Sequence, residues 1–500
     1  MKMANIKLLF PNRFSFLRII RSVLRIIRSV LRKQATLVSL PLLYIASLNM
    51  WWPLRIRILA LRLRPRYDCS NPRRWLMCFD RILTVHPEQI LDFRLEAFYR
   101  AWCLGDIARG MDYQDKFRAQ QFLRRNQLGL LQEKISVSKT IFTANSNTQA
   151  YLDTHLKAMT LGLRPLSQII VVVPSNGVIE NPEMVRRWQD YVDVQVPSPE
   201  VTATNHLDPY EEDFEVSVPI NGRSVYIEHA KAIVQSEWER QERPPLLSLD
   251  REFIQDRRLE MTKIGMDINQ PFVSLHVRDN GSKTGSWENS GPEDFRNADV
   301  TTYLEAIKSL IELSFIVVRV GDPAMKPLPT LPGLIDYARS DIRSSQLDLF
   351  LFTQCKFFIG MSSGPILSPM MFGTPTIGTN FAPVSGRLHV GNSLILPKRL
   401  KDSGGIYMSF EDALRSNLSQ DYSGAALEES EWHYEENSPE EIAEASLEMV
   451  KILEGRVAYS ESDEKLQSKV NKLYESLSPY GSQGRVAAEY LRISEKQGMI

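Results

Sequence analysis

Phe272-Val273-Ser274-Leu275-His276-Val277-Arg278-Asp279-Asn280-Gly281 is an apolar run that ends in charged residues and a glycine. Its first part, Phe272 to Val277, reads as a strand. Downstream, Val300 to Leu313 reads as a helix, Phe315 to Val320 as a strand, Ser345 to Gln354 as a helix and Lys356 to Ile359 as a strand. The apolar runs are short and continuous, and the helices between them have crossover length, which predicts a parallel sheet covered on both faces. Further on, Ser438 is placed to cap a helix that opens with Pro439, Glu440 and Glu441, combining an N-cap, a first-position proline and dipole-matched carboxylates.

Upstream the same rhythm is fainter. Ile169 to Val173, closed by Pro174-Ser175-Asn176-Gly177, reads as a buried strand, and Tyr191 to Val196 repeats it after the helical stretch Met184 to Gln189. His206 to Glu215 is polar and acidic and reads as a loop. The βαβ rhythm on both sides predicts an α/β protein with two Rossmann-like domains, over 137–265 and 266–435, followed by C-terminal helices over 436–500. Before them, 67–136 is helical in period and forms a spacer. Trp75, Leu76, Phe79, Ile82 and Leu83 share one face, Pro87 breaks the pattern, and Ile90 to Leu104 resumes it.

The net charge of zero over 500 residues hides an asymmetry. Residues 1–66 hold fourteen Lys and Arg and no acidic residue. Within them Arg-Ile-Ile-Arg-Ser-Val-Leu occurs twice in tandem, so Arg18, Arg21, Arg25, Arg28 and Arg32 stack on one helix face with Ile, Val and Leu opposite. That pattern predicts a helix lying on an anionic membrane surface, and a cytoplasmic protein peripheral on the inner face of the cell membrane. Leu37 to Trp52 is apolar but falls short of the roughly twenty residues a spanning helix needs, and it carries Pro41. Cys69, Cys78, Cys103 and Cys355 show no metal-ligand spacing and read as reduced core thiols.

Three loops carry the chemistry. At the end of the first strand His276 and Arg278 alternate to one side, where a guanidinium fork and an imidazole suit a diphosphate, the imidazole adding charge when protonated. The competing reading pairs Arg278 with Asp279 or Asp322. Gly360-Met361-Ser362-Ser363-Gly364-Pro365 follows a strand and opens a helix, which directs backbone N–H groups at an anion; the alternative is a helix capped by Ser363 with nothing bound. Arg319-Val320-Gly321-Asp322-Pro323 is a third charged strand end, placed to meet a ribose or a base edge.

These segments resemble a family of bacterial glycosyltransferases distantly similar to the fucosyltransferases that share a His-x-Arg motif. The resemblance rests on His276-Val277-Arg278-Asp279, Arg296-Asn297-Ala298-Asp299, Arg319 to Pro323, Ile335-Asp336-Tyr337-Ala338, Phe358 to Gly364 and Asn437 to Ile442, and covers about 260 to 450. It implies a GT-B fold, two Rossmann-like domains facing across a cleft behind an N-terminal helical extension. It further implies a GDP- or UDP-linked sugar donor held by Arg278 and His276, a glycan or lipid-linked acceptor, no metal and no other cofactor. Asp279 joins these two as a catalytic candidate, with Arg296, Asn297, Arg319, Asp322, Ser362, Ser363 and Gly364 as substrate-binding candidates. The chain departs from the family pattern in its amino-terminal extension and over Asn145 to Asp153.

No D-x-D triplet, phosphate-binding G-x-x-x-x-G-K-[ST] loop or strand-linked G-x-G-x-x-G is present, which disfavours metal-clamped transferases, kinases and dinucleotide oxidoreductases. No nucleic-acid partner is expected. Asp279 and Glu288 are the nearest carboxylates in sequence for a general base. Two other classes remain: a non-catalytic, membrane-tethered nucleotide-sugar or glycan-binding scaffold, and a nucleotide-sugar epimerase, which leaves the basic helix unexplained.

Overall fold

A computed structural model of the chain describes residues 72–139, 147–173, 181–195, 204–281, 285, 288, 293–422, 424–478, 480 and 484–500. The basic segment 1–66, the apolar run Leu37 to Trp52 and the turn Pro174 to Gly177 lie outside the described residues. The chain divides into two units at Gln132/Glu133.

In the first unit α1 (Pro72–Val85), α2 (Ile90–Trp102) and α3 (Ile107–Gln127) pack around Trp75, Leu76, Phe79, Ile82, Phe93, Tyr113 and Phe117. The apolar positions of α1 recur three and four apart, so a single stripe meets its neighbours. Asp80 binds α1 to α3, accepting from Tyr113 Oη at 2.6 Å and from Arg109. Asp106 caps α3 by accepting from Arg109 N at 3.1 Å. Cys78 is a buried thiol outside any disulfide, whereas Cys103 is disulfide-bonded. The expectation of four reduced thiols is thus corrected, because pairing depends on chain proximity and sequence spacing carries no record of it.

The second unit begins with β1 (Ile135–Ser138), α4 (Asn147–Thr160), β2 (Gln168–Val172), α5 (Pro182–Trp188) and β3 (Asp193–Gln195), whose strands form a parallel sheet in the order β1-β2-β3. A hairpin, β4 (Ser217–Ile220) and β5 (Arg223–Tyr226), turns at Asn221-Gly222, both with positive φ as a two-residue hairpin loop requires. Helices α6 (Ile227–Arg240) and α7 (Arg251–Met261) follow. A 3-10 turn over Thr204–Tyr210 runs into His206 to Glu215, the stretch expected to be a loop.

Next come β6 (Phe272–Leu275), α8 (Leu304–Glu312), β7 (Ile316–Arg319), β8 (Leu334–Ile335), α9 (Ser345–Gln354), β9 (Phe358–Gly360), α10 (Leu367–Met371), β10 (Thr376–Phe381) and β11 (Ser393–Pro397). Strands β6, β7, β9, β10 and β11 are buried along their whole lengths, the signature of a sheet covered on both faces. A small antiparallel pair, β12 (Arg399–Asp402) and β13 (Trp432–Glu435), flanks α11 (Phe410–Arg415) and α12 (Ala425–Glu428). Helices α13 (Pro439–Leu453) and α14 (Glu461–Leu477) lead to β14 (Arg485–Val486) and α15 (Ala488–Lys496). The C-terminal segment therefore contributes more than helices, since β14 pairs in parallel with β11.

The expected α/β class is present as two parallel sheets, a three-stranded one followed by a seven-stranded one ordered β14-β11-β10-β9-β6-β7-β8. The expected N-cap at Ser438 is present and belongs to a reciprocal capping box at α13, where Glu441 N donates to Ser438 Oγ at 3.2 Å and Ser438 N donates to Glu441 Oε2 at 3.0 Å. Glu441 also receives Arg399 Nη1 at 3.0 Å, and both side chains are buried. Replacing Glu441 with Ala leaves Arg399 as an unpaired buried charge and should cost about 3–5 kcal/mol. Ser438→Ala, which removes only the cap, should cost about 1 kcal/mol. Urea unfolding of both variants checks this, and equal losses would show that the Arg399 pair adds nothing.

Candidate functional site

From β6 the seven-stranded sheet grows to β7 and β8 on one side; the chain then returns to β9 and grows through β10 and β11 on the other. The order therefore reverses between β6 and β9, and in open α/β sheets ligands enter the crevice beyond the carboxyl ends at such a switch point. His276 to Arg278 follow β6, and Met361 to Gly364 follow β9. The two strand ends are joined there, with His276 N donating to Ile359 O at 2.9 Å and Arg278 N to Met361 Sδ at 3.2 Å.

Arg278 is buried and held from two sides. Nη2 donates to Glu293 Oε2 at 2.9 Å, and Nη1 donates to Glu293 O at 3.1 Å and to Asn297 Oδ1. Arg296 Nη1 reaches the same Glu293 Oε2 at 2.9 Å, while Nη2 donates to the Ser362 carbonyl and the guanidinium lies 5.5 Å from the Tyr422 ring. One carboxylate thus serves two guanidiniums. Burial, then repulsion from Arg296, pull Arg278 down to about 10, so it remains a cation at neutral pH. Asn297 completes the bracket through Nδ2 to Asp294 Oδ1 at 3.2 Å.

His276 sits beside Ser363, with Nδ1 and Ser363 Oγ 3.3 Å apart. Burial, Arg319 and Arg278 drive it down to about 3, so the imidazole is neutral and contributes hydrogen bonding without charge. Of the two contributions the sequence allowed it, a hydrogen bond and, when protonated, a charge, only the first is open here, because two nearby guanidiniums and the loss of water both oppose its cation. Ser363 occupies the N-cap position of the 3-10 turn Gly364–Ile366, but its hydroxyl makes no cap bond. Ser362 Oγ donates to Ala382 O at 2.6 Å. The helix beyond, α10, has only five residues, so the turn offers its own polar groups more than a helix dipole.

Lys398 was not visible as a site residue in the sequence. It follows β11, is 3% exposed, and donates to Asn297 O at 2.6 Å, with Glu436 4.0 Å away. Burial pulls its pKa down to about 8; Glu436 opposes this and Arg278 adds to it. The available signal was the apolar strand Leu394-Ile395-Leu396 running into a cation, the same pattern that exposed Arg278.

Three other candidates are turned to the framework. Arg319 is fully buried, donating to Asp336 Oδ1 and Lys326 O at 3.0 Å each. Asp322 closes its own turn by accepting from Ala324 N at 2.9 Å. Asp279 accepts from Gly281 N at 2.8 Å and Lys326 N at 2.9 Å, which commits both carboxylate oxygens to backbone. What the structure brings together is Arg278, His276, Arg296, Asn297, Ser362, Ser363 and Lys398.

No family model matches the chain, and no curated protein matches its sequence. In structure it is similar to ADP-heptose LPS heptosyltransferase II of E. coli, at 16% identity and TM-score 0.32 over 59% of this chain and 97% of that one. It is also similar to a glycosyl transferase family 9 protein of Veillonella parvula, at 11% identity and TM-score 0.33 over 64% of this chain and 96% of that one. A third similar structure is the dodecameric iron-containing heptosyltransferase TibC with ADP-D-β-D-heptose, from enterotoxigenic E. coli, at 13% identity and TM-score 0.31 over 55% of this chain and 63% of that one.

Lys398 gives this site a pH signature. An anion prefers the protonated amine, so affinity for a nucleoside diphosphate should be flat between about pH 7 and the lysine's pKa of about 8. Above it, affinity should fall by up to about tenfold per pH unit. Calorimetry on the Lys398→Met variant should show weaker binding at neutral pH and no such decline; an unchanged slope would remove Lys398 from the site.

Proposed function

We propose that this protein is a glycosyltransferase that moves a hexosyl or fucosyl group from a GDP- or UDP-linked donor to a glycan or lipid-linked acceptor, without a metal ion, in bacterial surface polysaccharide synthesis. The observation that carries this reading is the placement of Arg278, Arg296 and Lys398 around the strand-order reversal between β6 and β9, with Ser363 and a neutral His276 between them. Cleaving a sugar–diphosphate bond builds negative charge on the β-phosphate oxygen. Cations fixed before reaction stabilise that charge without rearranging solvent. In this reading Arg278 and Lys398 receive the diphosphate, the His276–Ser363 pair orients it by hydrogen bonding, and Arg296 braces the Ser362 loop.

The same reading places the protein on the inner face of the cell membrane through residues 1–66. No helix among the described residues is long and apolar enough to cross a membrane. The tandem arginine repeat supports interfacial binding, which adds attraction to anionic headgroups to burial of the Ile, Val and Leu face.

Calorimetric titration with UDP-, GDP- and ADP-linked sugars tests the donor assignment, and failure to bind any of them overturns it. Arg278→Lys should lower turnover at least about a hundredfold with the fold intact by circular dichroism, because an ammonium cannot reproduce a guanidinium's two-point grip. Near-normal turnover would remove Arg278 from the chemistry. Activity should persist in a chelator; loss restored by magnesium or manganese would establish a metal-dependent mechanism instead. Removing residues 1–66 should release the protein from anionic vesicles while leaving nucleotide affinity unchanged. A truncated protein that still sedimented with vesicles would assign the membrane role elsewhere.

A further inference from the structure

Beneath the switch point the chain closes a hydrogen-bond network that no role assigned above uses. Tyr303 ends the 3-10 turn Val300–Tyr303, Thr379 and Asn380 are neighbours on β10, and Asn437 stands just before the Ser438 cap of α13. All four are buried, with at most 1% of their surface exposed. Polar atoms at that depth need partners from the protein, and here the partners fix the direction of each bond. Thr379 Oγ1 gives its one proton to Gly360 O at 3.1 Å, so in its 2.7 Å contact with Tyr303 Oη it accepts. The Tyr303 hydroxyl therefore donates to Thr379, and it accepts from Asn380 Nδ2 at 3.0 Å. Asn380 and Asn437 bind each other twice: Asn437 N donates to Asn380 Oδ1 at 2.7 Å, and Asn380 N to Asn437 Oδ1 at 2.5 Å. Asn437 Nδ2 is left for Pro397 O, at 3.0 Å. Flipping either amide would set donor against donor, so both orientations are determined.

The network ends on the three loops that build the site. Gly360 closes β9 and leads directly into Met361 to Gly364, where Ser363 meets His276 and the Ser362 carbonyl receives Arg296. Tyr303 follows the loop whose Asn297 binds Arg278 and, through its carbonyl, Lys398. Pro397 is the residue before Lys398. A proline has no N–H, so its carbonyl is the one main-chain group by which residue 397 can be held, and Asn437 takes it. Lys398 N in turn donates at 2.9 Å to the carbonyl of Phe381, the residue after Asn380. The left-handed φ of 48° at Asn380 falls where the register of β10 against β11 shifts, between Gly378 and Phe381. Asparagine tolerates that conformation better than most side chains, and there its backbone N–H and its side-chain oxygen both reach Asn437.

We propose that Asn437 and Tyr303 are positioning residues of the nucleotide-sugar site: with Asn380 and Thr379 they hold Lys398 and the Ser362–Gly364 turn in one fixed relation, so that amine and hydroxyl meet the same diphosphate. The proposal rests on the donor reading above. All four side chains are sealed from solvent, so they act through Lys398 and Ser363 and make no contact with the ligand themselves. A lysine carries its charge on a flexible four-carbon stem, and its amine is aimed only as well as the backbone beneath it. Charge fixed in place before reaction stabilises a leaving diphosphate without rearrangement, and small displacements forfeit that advantage. Asn437 therefore contributes to binding through Lys398, and Tyr303 through Ser363.

The experiment is a pair of double-mutant cycles on the full chain, read by calorimetry with whichever of UDP, GDP and ADP the wild-type protein binds most tightly. Asn437→Ala should weaken binding about tenfold at about pH 7 when Lys398 is present, and less than about twofold in the Lys398→Met background. It should also flatten the decline in affinity above about pH 8, because the amine, whose charged neighbours are Glu436 and Arg278, no longer reaches the ligand. Tyr303→Phe removes one oxygen and keeps the ring, and it decides the matter if Asn437→Ala does not fold. Its loss of about fivefold should vanish in the Ser363→Ala background. Losses that are the same with and without Lys398, and with and without Ser363, would make the network a plain part of the core and overturn the proposal. Affinities within about twofold of wild type in both single variants would do the same. Wild-type protein that binds none of the three nucleotides overturns the donor reading, and this inference with it.

Discussion

The arrangement at the switch point depends on one carboxylate oxygen, Glu293 Oε2, that accepts from both Arg278 and Arg296. Two guanidiniums repel each other once water is excluded, and a single shared acceptor holds them at close range without satisfying either completely. Around that compromise the rest is ordered. Asn297 receives Arg278 with its side chain and Lys398 with its carbonyl, and Arg296 fixes the Ser362 carbonyl. Positive charge is thereby stored where two strand ends diverge. Removing Glu293 would free the cations and also scatter them.

The sheet makes this storage possible. Strands β6, β9 and β11 are buried along their whole lengths, so residues immediately beyond them emerge from a rigid, desolvated base. Arg278 and Lys398 both occupy such positions, and both lose part of their basicity to burial. Arg319 also ends a strand, but its guanidinium closes onto Asp336 and the Lys326 carbonyl. There it stabilises the loop after β7 and lowers the basicity of His276.

A division of labour also runs across the second unit. The seven-stranded sheet concentrates cations, whereas α4 and α6, beside the three-stranded sheet, concentrate buried acceptors and ion pairs such as Asp153–Lys157 and Glu228–Lys231. Helix α10 with the Ala382–His389 segment links the two. Buried polar groups on both sides are expensive to maintain, which keeps the arrangement specific.

The sequence by itself determined the α/β class, the strands β6, β7 and β9, the helix α9 and the N-cap at Ser438. Each rests on local information: a continuous apolar run, a crossover-length helix, or a cap residue with its partner three positions away. It also singled out His276, Arg278 and the Ser362–Gly364 turn, because a strand end shows in the chain itself. The Asn221-Gly222 hairpin is equally local, a two-residue turn signal that needs no distant partner. What only the tertiary structure decided were quantities set by distant neighbours. Asp336 claims Arg319 from seventeen residues away, and two guanidiniums hold His276 neutral. Lys398 joins Asn297 across about a hundred residues, and Asp153 Oδ1 is sealed from water with no partner. Charge state and hydrogen-bond satisfaction depend on what surrounds a group in space, and one-dimensional spacing does not encode that.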